Sequence, residues 1–108
     1  MFKLNAYGRD WNLIAVKGTY TYGNCLAITL MSDIGECFAH LTVNLIEALG
    51  DVATLPDDCA FVDVNNCPWA EKFIQDNKLG EHLGLYVTSG YVTYPLYRFN
   101  LNLLKGEN

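Results

Sequence analysis

The chain has 108 residues, 51% of them hydrophobic and 18% charged, which excludes a disordered chain and leaves enough apolar surface for one core without a metal or a disulfide. No apolar run approaches the roughly 18 residues of a membrane-spanning helix, and the opening MFKLNAYGRDW alternates where a secretory signal would run continuously apolar, so a single cytoplasmic domain over residues 1–108 is expected. The net charge of −5 is uneven: from Gly18 to Glu71 there are eight acids and no Lys or Arg, against seven basic and four acidic residues elsewhere, so direct nucleic-acid binding is not expected and a basic partner is favoured.

The first predicted element is a hairpin in FKLNAYGRDWNLIAVK. A two-residue Gly8-Arg9 turn of type II′, with glycine at the position of positive φ, sets Phe2 opposite Ala15, Leu4 opposite Leu13 and Ala6 opposite Trp11, giving one apolar face. Gly18 to Asn24 joins it to a second hairpin, with Tyr20 and Tyr22 in a short strand or a loop edge. In CLAITLMSDIGECFAHLTVNL a turn centred on Asp33-Ile34 places Leu26 opposite Leu41, Ile28 opposite Ala39 and Leu30 opposite Cys37, and a one-residue slip would destroy that match. Cys25 then faces Thr42, so Cys25 and Cys37 are not cross-strand partners. A four-stranded antiparallel meander is the simplest topology.

Residues 45–58 are a connection in which Leu45, Ile46, Ala48 and Leu49 form one helical turn ended by Gly50, before a Pro56-Asp57-Asp58 turn. CAFVDV is a short strand. A helix then runs from Pro68 to Leu79, with Cys67 as N-cap and Gly80 as its stop, and its stripe of Trp69, Ala70, Phe73, Ile74 and Asn77 packs on a sheet. The tail is β-prone, with Ser89-Gly90 as the turn and Pro95 marking an edge or a bulge. The whole reads as an α+β fold: a mainly antiparallel sheet of five to seven strands with one principal helix on one face.

Two sets of residues are candidates for function. Asp63, Asn65, Asn66 and Cys67 bring a carboxylate, two amides and a thiol together at the helix entrance, where a helix N-terminus can favour a thiolate. The same groups serve equally well as caps and packing, and neither His40 nor His82 is placed beside Cys67 by the sequence. Cys25, Cys37, Cys59 and Cys67 contain no CxxC pair, so reduced, structural, buried thiols are expected, with no metal and no cofactor. The second set is aromatic and acidic. The tyrosines exceed what a small core can bury with every hydroxyl satisfied, so Tyr91, Tyr94 and Tyr97, with Asp57, Asp58 and Asp63, are the expected interaction residues.

The strings FKLNAYGRDW, FVDVNNCPWAEKFIQDNKLG and SGYVTYPLYRFNL resemble a domain-of-unknown-function family of small proteins carried on conjugative and other mobile elements of Firmicutes. The resemblance brings no catalytic residues. It implies a cargo protein that interferes with a host defence or regulatory protein, so a non-enzymatic interaction module, acting as an acidic inhibitor of a defence or nucleic-acid-binding protein, is the first expectation. A small enzyme or ligand binder built on the Asp63 to Cys67 turn is the second, and a homodimer pairing tyrosine-rich edge strands is the third.

Overall fold

A computed structural model describes residues 1–20, 25–45 and 55–106. Strands β1 (Phe2–Ala6), β2 (Arg9–Thr19), β3 (Leu26–Ser32) and β4 (Cys37–His40) form an antiparallel meander in that order, and β9 (Lys105–Gly106) pairs in parallel with β2. Strands β5 (Thr42–Val43), β6 (Cys59–Val62), β7 (Gly80–Ser89) and β8 (Val92–Phe99) form a second sheet in the order β5-β6-β8-β7, with helix α1 (Ala70–Asp76) between β6 and β7 in sequence. The fold is a sheet-dominated α+β arrangement, with its strands divided between two sheets where one was expected.

The division occurs at Leu41. The Leu41 N–H still donates to Ile28 O (2.9 Å), but the Ile28 N–H turns to the Thr42 hydroxyl (3.0 Å), and Leu41 O accepts from Asp63 N–H in the second sheet (2.9 Å). A side chain thus replaces a ladder bond where the strand changes sheets, which is how a buried Thr42 remains satisfied. The main core lies between the sheets and the helix, with Leu13, Leu30, Leu41, Val62, Phe73, Ile74 and Tyr97 enclosed. Each such apolar side chain contributes about 1.5–3 kcal/mol by leaving water. A smaller cluster of Leu45, Cys59, Phe61 and Leu96 covers the other face of the second sheet, so every residue of β6 is buried.

Both N-terminal registers differ from expectation by two residues, which preserves the faces. Phe2 pairs with Leu13 and Leu4 with Trp11, around a Tyr7-Gly8 turn. Both turn residues have positive φ (55° and 77°), the pattern of a type I′ turn in place of type II′. In the second hairpin Leu30 pairs with Ala39, and the register moves by one residue before Met31–Cys37, which leaves Phe38 as the additional residue. Its loop is Asp33-Ile34-Gly35, closed by Ser32 N–H to Glu36 O (2.7 Å) with Gly35 at φ 86°. A three-residue loop with a left-handed glycine was available in the sequence and outcompetes the two-residue turn. The alternation fixed the face, and turn chemistry fixed the register.

The helix is shorter than the expected Pro68 to Leu79 span. Its N-cap is Trp69, and Cys67 lies in the preceding turn, its carbonyl accepting from Ala70 N–H (2.9 Å). It ends through Lys78 at φ 54°, with Lys78 N–H bonded to Gln75 O (3.2 Å) and Leu79 N–H to Ile74 O (2.9 Å), a Schellman closure made without glycine. Gly80 instead begins β7, where a Cβ would lie 2.6 Å from Arg98 O. The predicted stripe does pack inward: Ala70, Phe73 and Ile74 are buried. Asn77 clasps β1, exchanging side-chain hydrogen bonds with Lys3 N–H (3.3 Å) and Lys3 O (3.1 Å).

In the C-terminal hairpin the turn residues are Gly90 and Tyr91, closed by Ser89 and Val92. Pro95 pairs opposite Tyr86 next to a register shift in β7 and beyond the residues of β8 that pair with β6, which is where a residue without an N–H is tolerated. The expected helical turn near Leu45 to Gly50 and the placement of Tyr22 lie outside the described residues. No helix among the described residues is long and apolar enough to cross a membrane.

Candidate functional site

The turn after β6 is built by Asp63. Its backbone carbonyl accepts from Cys67 N–H (2.9 Å), while its carboxylate accepts from Asn66 N–H at Oδ1 (3.2 Å) and from the Asn66 side-chain amide at Oδ2 (2.9 Å). A short acceptor in this place holds a chain reversal that needs no glycine. Asp63 is 7% exposed, and no Lys, Arg or His lies within ion-pair distance of it among the described residues. Asn65 and Asn66 are exposed.

Of the cysteines expected to be buried, Cys37 is exposed and Cys25 half-buried, whereas Cys59 and Cys67 are enclosed. The Cys67 thiol donates to His40 O (3.6 Å), and burial, with the Asp63 carboxylate adding to it, pushes the thiol up to about 11. A nucleophilic cysteine needs the opposite shift. The His40 ring is exposed and bonds to the Thr29 hydroxyl (3.3 Å), so the two residues meet through backbone and not as a thiol–imidazole pair.

Around this turn lies a cleft of about 370 Å³. Tyr7, Phe38 and Trp69 supply aromatic walls; Asp63, Asn66 and Cys67 line it from the turn, and Ala39 and His40 from β4. The rings cluster on Phe38, whose centroid lies 6.4 Å from that of Tyr7, 5.8 Å from Trp69 and 4.7 Å from Trp11. Trp69 Nε1–H donates to the Tyr7 hydroxyl (3.0 Å), tying the hairpin tip to the helix entrance. The Arg9 guanidinium sits 4.2 Å over Trp11.

A second polar cluster lies across the helix. The Tyr97 hydroxyl donates to Glu71 Oε1 (2.8 Å) and accepts from Gln75 Nε2 (3.2 Å), with His82 Nε2 3.8 Å from Glu71 Oε1. Burial, reinforced by the Glu71 hydrogen bond, pushes the Tyr97 phenol up to about 12. The His82 ring packs on Tyr97 and Tyr86 and accepts the Gly84 N–H at Nδ1 (2.7 Å), which leaves Nε2 as the proton-bearing nitrogen toward Glu71.

The residues expected to form one interaction surface are thereby separated. Tyr97 is fully buried and Asp63 nearly so, because Tyr97 occupies the core side of β8. Tyr94 lies on the opposite side, half-buried against the smaller cluster. Asp57 is exposed; Asp58 pairs with Arg98 (3.4 Å) and its carbonyl accepts the Phe99 N–H (2.7 Å). Tyr91, wholly exposed, caps the other end of the same strand, roughly 25 Å away at 3.3 Å per residue. Sequence reasoning missed Tyr7, Phe38 and Trp69 as site residues, the last being assigned to the packed stripe of the helix. The signal for Tyr7 was its place before Gly8 in a two-residue loop; Phe38 joins the cleft through the register shift in β4, which alternation does not announce.

The chain belongs to a family described as a domain of unknown function (DUF4313), whose profile matches residues 15–107. The turn, α1 and the C-terminal hairpin lie inside the match, and the Tyr7 hairpin tip lies before it. No curated protein and no solved structure matches the chain.

Proposed function

We propose that this protein is a non-enzymatic, cytoplasmic interaction module that binds another protein, carried as cargo of a mobile element and acting as an acidic inhibitor of a host defence or nucleic-acid-binding protein. The observation that carries this reading is the C-terminal ribbon: Leu85, Tyr86 and Tyr91 are 59%, 60% and 106% exposed on one hairpin that extends past its pairing with β6. Large aromatic and aliphatic side chains concentrated on one arm are the usual anchors of protein interfaces, and the acidic span from Gly18 to Glu71 favours a basic partner. A photo-crosslinking residue at position 91 is expected to give a discrete adduct with a second protein in host lysate, lost when Leu85→Glu and Tyr86→Glu are combined in a folded variant. Adducts confined to this chain itself would replace the reading with a homodimer, and adducts indifferent to the ribbon substitutions would overturn it.

The second reading, a ligand binder at the Asp63 to Cys67 turn, is favoured by the cleft beside that turn. Its catalytic version, with Cys67 as nucleophile, conflicts with a thiol that stays protonated well above neutral pH.

A further inference from the structure

The cleft combines two features that ask for a cation. Asp63 is 7% exposed as a residue, and its carboxylate has no cationic partner within ion-pair distance among the described residues; carboxylates of buried residues are ordinarily paired because desolvating an isolated charge is costly. Each of its oxygens accepts one hydrogen bond from Asn66, which leaves each with a further acceptor site. The rings of Tyr7, Phe38 and Trp69 line the same space, and aromatic faces attract cations through their quadrupoles. An anion would meet the Asp63 charge, and an apolar group would bury that carboxylate deeper without compensation.

We infer that this cleft is a docking site for the guanidinium of an arginine side chain presented by a protein partner. Arginine fits better than lysine because its planar, weakly hydrated head stacks on aromatic rings while its forked N–H groups engage a carboxylate at both oxygens. The molecule already shows half of this arrangement: Arg9 lies over Trp11 at 4.2 Å, and Trp11 packs on Phe38 at the cleft. Arg9 is thereby engaged outside the cleft, whose lining does not include it. The residue forming the outer wall is also held against its backbone preference. Tyr7 sits at φ 55° in a turn position that favours Asn, Asp or Gly, and its hydroxyl bond to Trp69 fixes the ring at the cleft. This arginine pocket presupposes the interaction module proposed above and supplies its second point of contact, away from the ribbon.

The test is a nuclear magnetic resonance titration of the full chain with N-acetyl-arginine amide, followed at the indole N–H of Trp69, with the lysine and citrulline analogues as parallel probes. Saturable shifts with the arginine probe are expected, at least about tenfold weaker binding for lysine, and none for the isosteric, uncharged citrulline. Asp63→Asn, which keeps an acceptor for Asn66, should weaken arginine binding about tenfold or more. Tyr7→Gly, which suits the left-handed turn, should weaken it with the fold intact. Equal responses to arginine and citrulline, no saturable response, or unchanged binding in both variants would overturn the pocket. A crosslinked partner that is lost with the ribbon substitutions but retained by Asp63→Asn and Tyr7→Gly overturns the pocket while leaving the interaction module standing. Arginine binding without any ribbon-dependent partner leaves the cleft as a site for free guanidinium compounds and overturns the docking role.

Discussion

The two hairpin tips carry a tyrosine each and use it in opposite ways. Tyr7, 69% exposed, is in the left-handed region, hydrogen-bonded to Trp69 and packed toward Phe38; Tyr91, 106% exposed, has Gly90 before it to take the positive φ. At the first tip the aromatic residue sits where glycine or asparagine would cost less, and something must hold it there: a helix entrance, a neighbouring ring and the wall of a cleft. At the second, glycine supplies the turn and the tyrosine is free for contact. Exposure alone would rank Tyr91 as the more interesting residue, whereas strain and bonding single out Tyr7.

Substitutions can break this contrast at several strengths. The largest effect is expected beneath the first tip, where Phe73 packs against Trp69 at 5.9 Å and Phe2 at 6.3 Å. Phe73→Ala should lower stability in urea unfolding by about 3–5 kcal/mol. Alkaline pH comes next. Tyr97 and Cys67 have ordinary values of 10.0 and 9.0, raised in the fold to about 12 and about 11. The unfolded chain therefore loses these protons first, so the stability they contribute is complete below about pH 9 and falls as pH rises through 11 and 12. For Tyr97 the loss is of the order of 2 kcal/mol, and Tyr97→Phe should flatten that part of the stability profile. Asn77→Ala removes the clasp on Lys3 and should cost about 1 kcal/mol, with faster amide exchange confined to β1. Thiol labelling at pH 8 in the native state should modify exposed Cys37 first and buried Cys67 only on unfolding. The smallest effect is at the free tip, where Tyr91→Ala should change stability by no more than about 0.5 kcal/mol while weakening the partner contact proposed for the ribbon.

The same contrast shows what the sequence made legible. The meander, the inward stripe of Ala70, Phe73 and Ile74, and the β-bulge near Pro95 all follow from periodicity or proline chemistry, and the structure has them. The registers do not follow, because moving a hairpin by two residues keeps every side chain on its face, leaving Tyr7-Gly8 and Gly8-Arg9 equally matched by pattern. The local pattern marks Gly80 as a helix stop, but the tight approach of Arg98 O explains the glycine, and that neighbour is 18 positions away. The cleft was half visible: Asp63, Asn66 and Cys67 stood together in the sequence, whereas Tyr7 and Phe38 reach them only once the first sheet is folded against the turn. Tyr97 and Tyr91 illustrate the converse, since six positions apart on one strand and its turn they occupy the most enclosed and the most exposed environments among the described tyrosines.

The direct measurement of whether the first tip belongs to a built site is hydrogen exchange at the two indole N–H groups, with Trp11, bonded to Ala6 O at 3.0 Å, as the internal reference for Trp69. In Tyr7→Phe, which removes the hydroxyl and keeps the ring, exchange at Trp69 should accelerate while Trp11 stays protected. Unchanged exchange at Trp69 would contradict the account, since Tyr7 would then be as loosely held as Tyr91.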